Sequence, residues 1–198
     1  MTCTAAFNQK AYRGRNDDGS ETTATWKAAQ NTNWAQLRDT NFRVRFEIQE
    51  TAACAGNNKV WQLQYNRNAA GWNTVNASSN VVRSSASPNL ADAANLTDQL
   101  TVGTGTFIGL TGFDEVDGAA GGNSMDVAAS GHSEAEFSVQ IRSADVADGD
   151  TIQLRVTDAG TALAAYDVTP TVTVFASPEL LGQGSLLAAR QMQQHLAT

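Results

Sequence analysis

Apolar and polar side chains alternate with a period of two from Phe42 onward, and this pattern constrains the fold more than any other feature. Because successive side chains of a strand point to opposite faces, the alternation predicts a half-buried strand. The set that is expected to enter a core comprises Phe42, Val44, Phe46 and Ile48. The other set, which includes Arg43 and Arg45, is expected to face solvent.

The same alternation recurs in shorter segments that turn signals separate. Segment 60–65 is predicted to form a hairpin with 72–75 across a turn at 66–71, and a short strand follows at 81–83. Segments 137–141 and 152–156 flank a turn at 147–150, so they are predicted to be antiparallel neighbours. A long strand is expected around 166–174, where Pro170 indicates an edge or a bulge.

Many short strands without long amphipathic helices between them predict an all-β fold, an antiparallel β-sandwich or barrel, and exclude a parallel βαβ topology. The sandwich is expected to span 42–176 and to carry a long, glycine-bearing loop region at 84–136, which is typical of contact elements. Residues 1–41 are predicted to form an N-terminal arm with a hairpin of 10–15 and 21–27 that joins the sandwich.

Residues 177–198 are predicted to form a C-terminal extension with a short helix at 186–196. Its apolar side includes Leu187, Met192 and Leu196. A helix of about eleven residues is marginal alone in water, so it is expected to pack on its own sandwich or on a neighbouring subunit.

The chain is 198 residues long, which fits one large domain, and its surface is expected to be polar but sparsely ionic because only 17% of the residues are charged. The net charge of −7 argues against nucleic acid as a partner. Residues 1–100 carry a charge of +2 and residues 101–198 carry −9. One half could attract the other half of a neighbouring copy, but solvated loops are the preferred interpretation, because runs of charge usually face water.

The N-terminus lacks the features of a signal peptide, and no segment approaches the roughly 18 apolar residues of a membrane span. The protein is therefore expected to be made in a cytoplasm and to have no membrane partner. Cys3 and Cys54 are too few for a disulfide framework or a zinc site. In a reducing compartment they are expected to be unpaired thiols, and a bridge between them stays an open alternative.

The usual catalytic patterns are absent from the sequence, so no enzymatic activity and no cofactor are expected. His132 and His195 lie far apart and form no metal-ligand spacing. Carboxylates cluster at Asp114, Glu115 and Asp117, where a calcium site is conceivable but a solvated acidic loop is the better interpretation.

Four tryptophans raise the possibility of sugar binding by ring stacking. Trp61 is in phase with Leu63 and Tyr65, so it is predicted to be a core residue. For Trp34 and Trp72 the pattern does not indicate burial, so both are candidates for an interface, where aromatic side chains are favoured.

Several runs of the chain resemble a β-sandwich module of structural proteins of tailed bacteriophages. These runs are QKAYRGRNDDGSETTATW at 9–26, FRVRFEIQET at 42–51, WQLQY at 61–65, FDEVDG at 113–118 and IQLRVT at 152–157. The resemblance covers about residues 9–175 and implies an immunoglobulin-like fold in a virion protein.

Such modules occur on capsids and in tails, and a single module with short extensions suits a capsid decoration or cement protein that bridges capsomers. A tail or fibre component, or a carbohydrate-binding adhesin on the particle, are the alternatives. The partners that the resemblance implies are the major capsid protein and other copies of this chain, with a host glycan for the adhesin. The contacts are expected from loops 84–136 and both termini, and the candidate interface residues are Arg43, Arg45, Trp34, Trp72, Leu187, Met192 and Leu196.

Overall fold

A computed structural model describes residues 3–115 and 124–176, which contain strands and no helix. The first seven strands are β1 (Phe7–Asn16), β2 (Trp34–Leu37), β3 (Asn41–Glu50), β4 (Gly56–Arg67), β5 (Trp72–Thr74), β6 (Val82–Ser84) and β7 (Phe107–Ile108). The others are β8 (Phe113–Asp114), β9 (Ser124–Val127), β10 (His132–Ile141), β11 (Thr151–Asp158), β12 (Thr161–Ala162), β13 (Ala165–Tyr166) and β14 (Thr171–Phe175). The all-β prediction is confirmed for these residues.

The first sheet has the strand order β13-β1-β3-β10-β6, and the short strands β7 and β8 also pair with β10. Of its three long strands, β3 is antiparallel to both β1 and β10. β7, β8 and β13 are parallel to the strands they join. The long β3 therefore lies in the middle of the sheet, with a long neighbour on each side.

The second sheet has the strand order β2-β14-β11-β4-β5. β12 joins β11, and β9 pairs with the first part of β4. β4 and β5 form the predicted hairpin, in which Asn66 lies opposite Trp72. The turn between them needs a glycine, because Gly71 has a φ of 120°.

One hydrophobic core lies between the two sheets, consistent with a β-sandwich. The predicted inward set of β3 is confirmed, since all four side chains are fully buried, and Trp61 is buried as predicted. Each such side chain stabilises the fold by roughly 1.5–3 kcal/mol through the removal of apolar surface from water. The second sheet contributes Leu63, Ile152, Leu154, Val156, Val172 and Val174.

Two expectations about topology are wrong. The sheets are mixed and not purely antiparallel, because short edge strands join them in parallel. β10 and β11 are not neighbours: β10 pairs with β3 in the first sheet, and β11 pairs with β4 in the second. The connection 142–150 thus crosses from one sheet to the other, which a turn signal in the sequence does not distinguish from a hairpin.

The N-terminal segment is part of the first sheet, because β1 pairs with β3 from Phe7 to Asn16. The chain does return beside β1 after the turn, but the strand pairing there is the single bridge between Arg15 and Trp26. Loop region 84–136 includes β7 to β9 and the first half of β10. The predicted C-terminal extension, 177–198, lies outside the described residues.

Candidate functional site

The outward-facing side chains of β3 and β10 are charged or polar, and they lie directly across from one another. The cross-strand pairs are Arg43 with Ser138, Arg45 with Glu136, Glu47 with Glu134, and Gln49 with His132. All eight side chains are buried. Because an unpaired charge is very costly to bury, the partners of these groups decide whether this face is stable.

Arg43 and Arg45 are therefore not exposed, and the prediction that they face solvent is wrong. A period of two separates the two faces of a strand, but it does not tell whether another segment covers the polar face. Here residues 17–25 and 97–104 of the same chain lie over it, as the hydrogen bonds described below show.

Arg45 is the centre of the network, and its guanidinium donates to four groups. Nε donates to Glu136 Oε2 over 2.6 Å, and Nη2 donates to Glu21 Oε1 over 2.6 Å. Nη1 donates to Glu134 Oε2 over 2.6 Å and to the carbonyl of Thr97 over 3.0 Å. Burial alone would lower the pKa of Arg45, but the attraction of Glu136 and Glu134 outweighs it and raises that pKa.

Glu136 is shared by three arginines. Besides Arg45, Arg15 Nη1 donates to Glu136 Oε2 over 3.2 Å, and Arg43 Nη1 lies 3.2 Å from Oε1. Arg43 also has its Nε 3.4 Å from Asp17 Oδ1. The two Arg43 contacts are ion pairs without hydrogen-bond geometry. Burial lowers the pKa of Arg15, and Glu136 opposes that shift.

Two covering segments are attached to the sheet by this network. Arg43 Nη2 donates to the carbonyl of Gly19 over 2.7 Å, which holds the turn after β1. Glu134 Oε1 accepts from the backbone N–H groups of Gln99 and Leu100 over 2.8 and 2.5 Å. Glu21 joins the two segments, because its carboxylate also accepts from the Gln99 side chain over 2.7 Å. The outer face of the first sheet is thus a second, ionic interior.

The same face ends in a cluster of titratable groups around His132, a residue that was expected to have no catalytic role. His132 Nδ1 lies 3.0 Å from the carbonyl oxygen of Thr104, and Nε2 lies 3.3 Å from Asp98 Oδ2. Glu47 Oε2 accepts from the N–H of Val102 over 3.2 Å. Burial raises the pKa of Glu47 to about 7, and the charge of Glu134 adds to the effect. The Glu47 carboxyl group, with a pKa of about 7, therefore changes its charge near neutral pH.

Another carboxylate, Glu50 at the end of β3, forms an anchor that holds three segments together. Its carboxylate accepts from the backbone N–H groups of Ala6, Ala52, Cys54 and Ser130. Burial alone would raise the pKa of Glu50, but these hydrogen bonds together lower it.

Beside this anchor, Cys3 and Cys54 form a disulfide. The expectation of unpaired thiols is therefore wrong. The spacing of two cysteines in a sequence does not reveal their distance, whereas the fold brings their Cα atoms to 5.7 Å, within the usual range for a bridge. The disulfide ties the N-terminal segment to the turn between β3 and β4.

The two candidate interface tryptophans differ in position. Trp34 is a core residue, with an exposed fraction of 7%, and it packs against Tyr12 and Phe42. Trp72 is half-buried at the edge of the second sheet, and the guanidinium carbon of Arg155 lies 4.1 Å from its ring centroid. Of the two, Trp72 keeps the position of a surface residue.

The remaining candidates belong to the tail and the acidic loop. Leu187, Met192 and Leu196 lie outside the described residues, so their interface role stays a prediction; the same region holds His195. Within 3–115 and 124–176, the structure groups no three His, Cys, Asp or Glu side chains as metal ligands. None of the described residues forms a helix long and apolar enough to cross a membrane.

The sequence interpretation missed Arg15, Glu134 and Glu136 as members of one network, and it missed Glu47 in the cluster beside it. A signal for it exists: the outward positions of β3 carry arginines, and the outward positions of β10 carry glutamates. Complementary charges at alternate positions of two strands are what a paired, covered face requires.

Comparison of the chain with protein-family models, curated proteins and solved structures found no match. The functional interpretation therefore depends on the sequence and on the geometry described above.

Proposed function

We propose that this protein is a structural protein of a bacteriophage virion, where it serves as a decoration or cement protein that bridges neighbouring capsomers of the head. The proposal includes an immunoglobulin-like topology for the sandwich. It is supported by the runs that resemble phage modules, since the runs at 9–26, 42–51, 61–65 and 152–157 contain residues of the strands β1, β3, β4 and β11.

The observation that carries the proposal is the covered outer face of the first sheet. Three arginines, Arg15, Arg43 and Arg45, are fully buried against carboxylates of the same chain. These contacts stabilise the outer face of the first sheet, opposite the hydrophobic core. A rigid, preorganised module loses little conformational entropy on binding, and a polar surface with few charged residues suits a wet, hydrogen-bonded interface.

The disulfide also fits a particle protein that ends outside the cell, because disulfides persist in oxidising surroundings and are rare in the cytosol. In this account the chain is made in the host cytoplasm and acts on the virion.

The contacts with the capsid are assigned to the ends and the surface loops. Leu110 and Phe175 are exposed apolar side chains, with exposed fractions of 60% and 37%. Phe175 ends the last described strand, from which the tail with Leu187, Met192 and Leu196 continues. Many copies with modest contacts would bind strongly together, since effective concentration multiplies weak affinities.

The test is binding to expanded, empty capsids assembled from the major capsid protein of the same genome. We expect saturable binding with a fixed number of copies per capsid, and a higher temperature of capsid disruption. A variant with Leu187→Ser, Met192→Ser and Leu196→Ser should bind more weakly, while Asn73→Ser, in β5, serves as a control. Absence of binding to any capsid form contradicts the proposal.

A glycan-binding adhesin is the second candidate, and Trp72 is the observation that favours it. The half-buried ring lies at a sheet edge, where one face could stack on a sugar while Arg155 lies over the ring. Binding on a glycan array that Trp72→Ala abolishes and Asn73→Ala preserves would support the adhesin over the cement protein. A tail or fibre component is the third candidate, which labelling of intact particles in electron micrographs distinguishes.

A further inference from the structure

Residues 97–104, here called the strap, cross the outer face of the first sheet and are attached to it through backbone N–H groups. Gln99 and Leu100 donate to Glu134, Val102 donates to Glu47, and Thr104 donates to Gln49. Gly103 lies so close to Glu47 and His132 that a Cβ atom there would clash with both side chains. The strap therefore fits tightly over the cluster of titratable groups.

His132 faces two hydrogen-bond acceptors of the strap. The carbonyl oxygen of Thr104 only accepts, so Nδ1 must carry a proton to make the 3.0 Å contact. The carboxylate of Asp98 also accepts when ionised, so Nε2 must carry a proton as well. Both contacts are satisfied together by the doubly protonated ring, and loss of one proton leaves one acceptor of the strap without its donor.

Glu47 and Glu134 lie directly opposite each other on adjacent strands, and both are fully buried. Like charges in this position repel. Burial raises the pKa of both carboxyl groups, but in Glu134 the charge of Arg45 and two backbone N–H groups oppose that shift. Glu47 has the N–H of Val102 on Oε2 and no hydrogen-bond partner on Oε1. Glu47 is therefore the carboxyl group of the pair that favours the neutral form.

We propose that the strap is a proton-dependent latch, fixed to the sheet while His132 is doubly protonated and Glu47 is neutral, and released as these groups lose their protons. The charged groups around them are Glu134 and Arg45 on the sheet and Asp98 on the strap. β1 places the apolar Ala11 beside Glu47. The direction agrees with the raised pKa of Glu47, about 7, which burial beneath the strap causes first and the charges of Glu134 and Asp98 increase. The hydrogen bond from Val102 and the attraction of His132 oppose this shift, and burial outweighs them.

The latch predicts that rising pH weakens the protection of strap amides against hydrogen exchange. Protection factors, corrected for the intrinsic exchange rate, are measured for Val102 and Thr104 between about pH 5.5 and about pH 8.5. We expect a fall of about tenfold or more, the effect of one pKa unit of difference between the attached and released states. The amide of Gly71, which donates to Asn66 in a distant turn, should not change.

Variants separate the two groups. Glu47→Gln keeps the shape of the neutral side chain, so the fall in protection should be smaller, and it should vanish in the double variant Glu47→Gln with His132→Phe. Asp145→Asn, an exposed change of equal charge in the connection between β10 and β11, should behave like the wild type. Nitrogen-15 spectra of the wild-type His132 ring should show both nitrogens protonated at the acidic end.

Protection of the strap that is constant over this pH range overturns the proposal, as does an unchanged fall in the double variant. The spectra of His132 keep the test decisive if a variant fails to fold, because a ring with one protonated nitrogen at the acidic end also refutes the latch. The inference concerns the isolated protein, so it stands or falls independently of the virion proposal.

Discussion

Replacing Arg45 with methionine removes the guanidinium that joins the sheet to both covering segments, while it leaves a side chain of similar length in the buried site. The change breaks the hydrogen bonds to Glu134, Glu136, Glu21 and the carbonyl of Thr97. Glu136 keeps its contacts with two other arginines, at 3.2 Å each. Glu134 loses the cation it bonds, and it is fully buried.

The expected loss follows from these remaining contacts. Four charge-assisted hydrogen bonds, at about 1.5–3 kcal/mol each, cannot be added, because they share one network. Removing one partner of a buried ion pair costs about 3–5 kcal/mol, and we expect the free energy of unfolding to fall by that amount. This corresponds to a decrease of roughly 6–20 °C in Tm for a domain of this size.

Urea denaturation measures this change in the free energy of unfolding, provided that the m-value stays the same in wild type and variant. Arg142→Met is the matched control. Arg142 forms a half-exposed ion pair with Asp39 at 3.3 Å, so its loss should cost no more than about 1 kcal/mol. The Arg45→Met protein should also become more stable as the pH falls, because its uncompensated carboxylates take up protons more readily when folded. Equal stability of the two variants would refute the reasoning.

Three further predictions concern Glu47, Glu50 and the disulfide. The pKa of Glu47 rises from 4.5 to about 7 on folding, because the folded protein favours the neutral carboxyl group. The stability linked to that neutral form is fully present below pH 4.5 and is lost as the pH rises through 7. Glu47→Gln should therefore raise the free energy of unfolding by about 1–3 kcal/mol at about pH 8 and leave it unchanged near pH 4, and a pH-independent effect would contradict this. Glu50→Gln should lower the free energy of unfolding by about 2–3 kcal/mol at neutral pH, because the amide places an N–H donor against backbone N–H groups. Since folding lowers the pKa of Glu50, the stability that its carboxylate contributes is present above its unfolded pKa and is lost in acid. Urea curves that do not change on Glu50→Gln would exclude this role. Cys3→Ser should cost about 2–4 kcal/mol, since the bridge spans a sequence separation of 51, and a reductant should lower the stability of the wild type but not of the variant.

Periodicity predicted the hydrophobic side of the fold, because the alternation of apolar and polar residues within one short segment is enough to show which side chains enter a core. Phe42 and Ile48 enter the core as expected, and so do Trp61 and Leu63. The hairpin at Asn66 was also predictable, since turn residues separate its two strands closely in the sequence.

The ionic side of the fold was not predictable by the same pattern. An arginine at an alternate position, such as Arg43 or Arg45, reads as solvent-facing unless a distant segment is known to cover it. The cover comes from residues such as Glu21 and Gln99, which are far from β3 in the sequence. Periodicity contains no information about such long-range contacts.

Strand partners and the disulfide depend on the same long-range information. β10 and β11 are adjacent in sequence yet lie in different sheets, and β2 reaches its parallel partner β14 from more than a hundred residues away. Cys3 and Cys54 meet because β1 and β3 are antiparallel neighbours, which brings the N-terminal segment beside the end of β3.

Electron cryomicroscopy of expanded capsids, incubated with the purified protein and compared with capsids alone, tests the proposed function most directly. The account predicts additional density at regular positions between capsomers, into which the two-sheet slab fits at a fixed number of copies. Capsid maps without such density, or labelled protein found on tails alone, would contradict it.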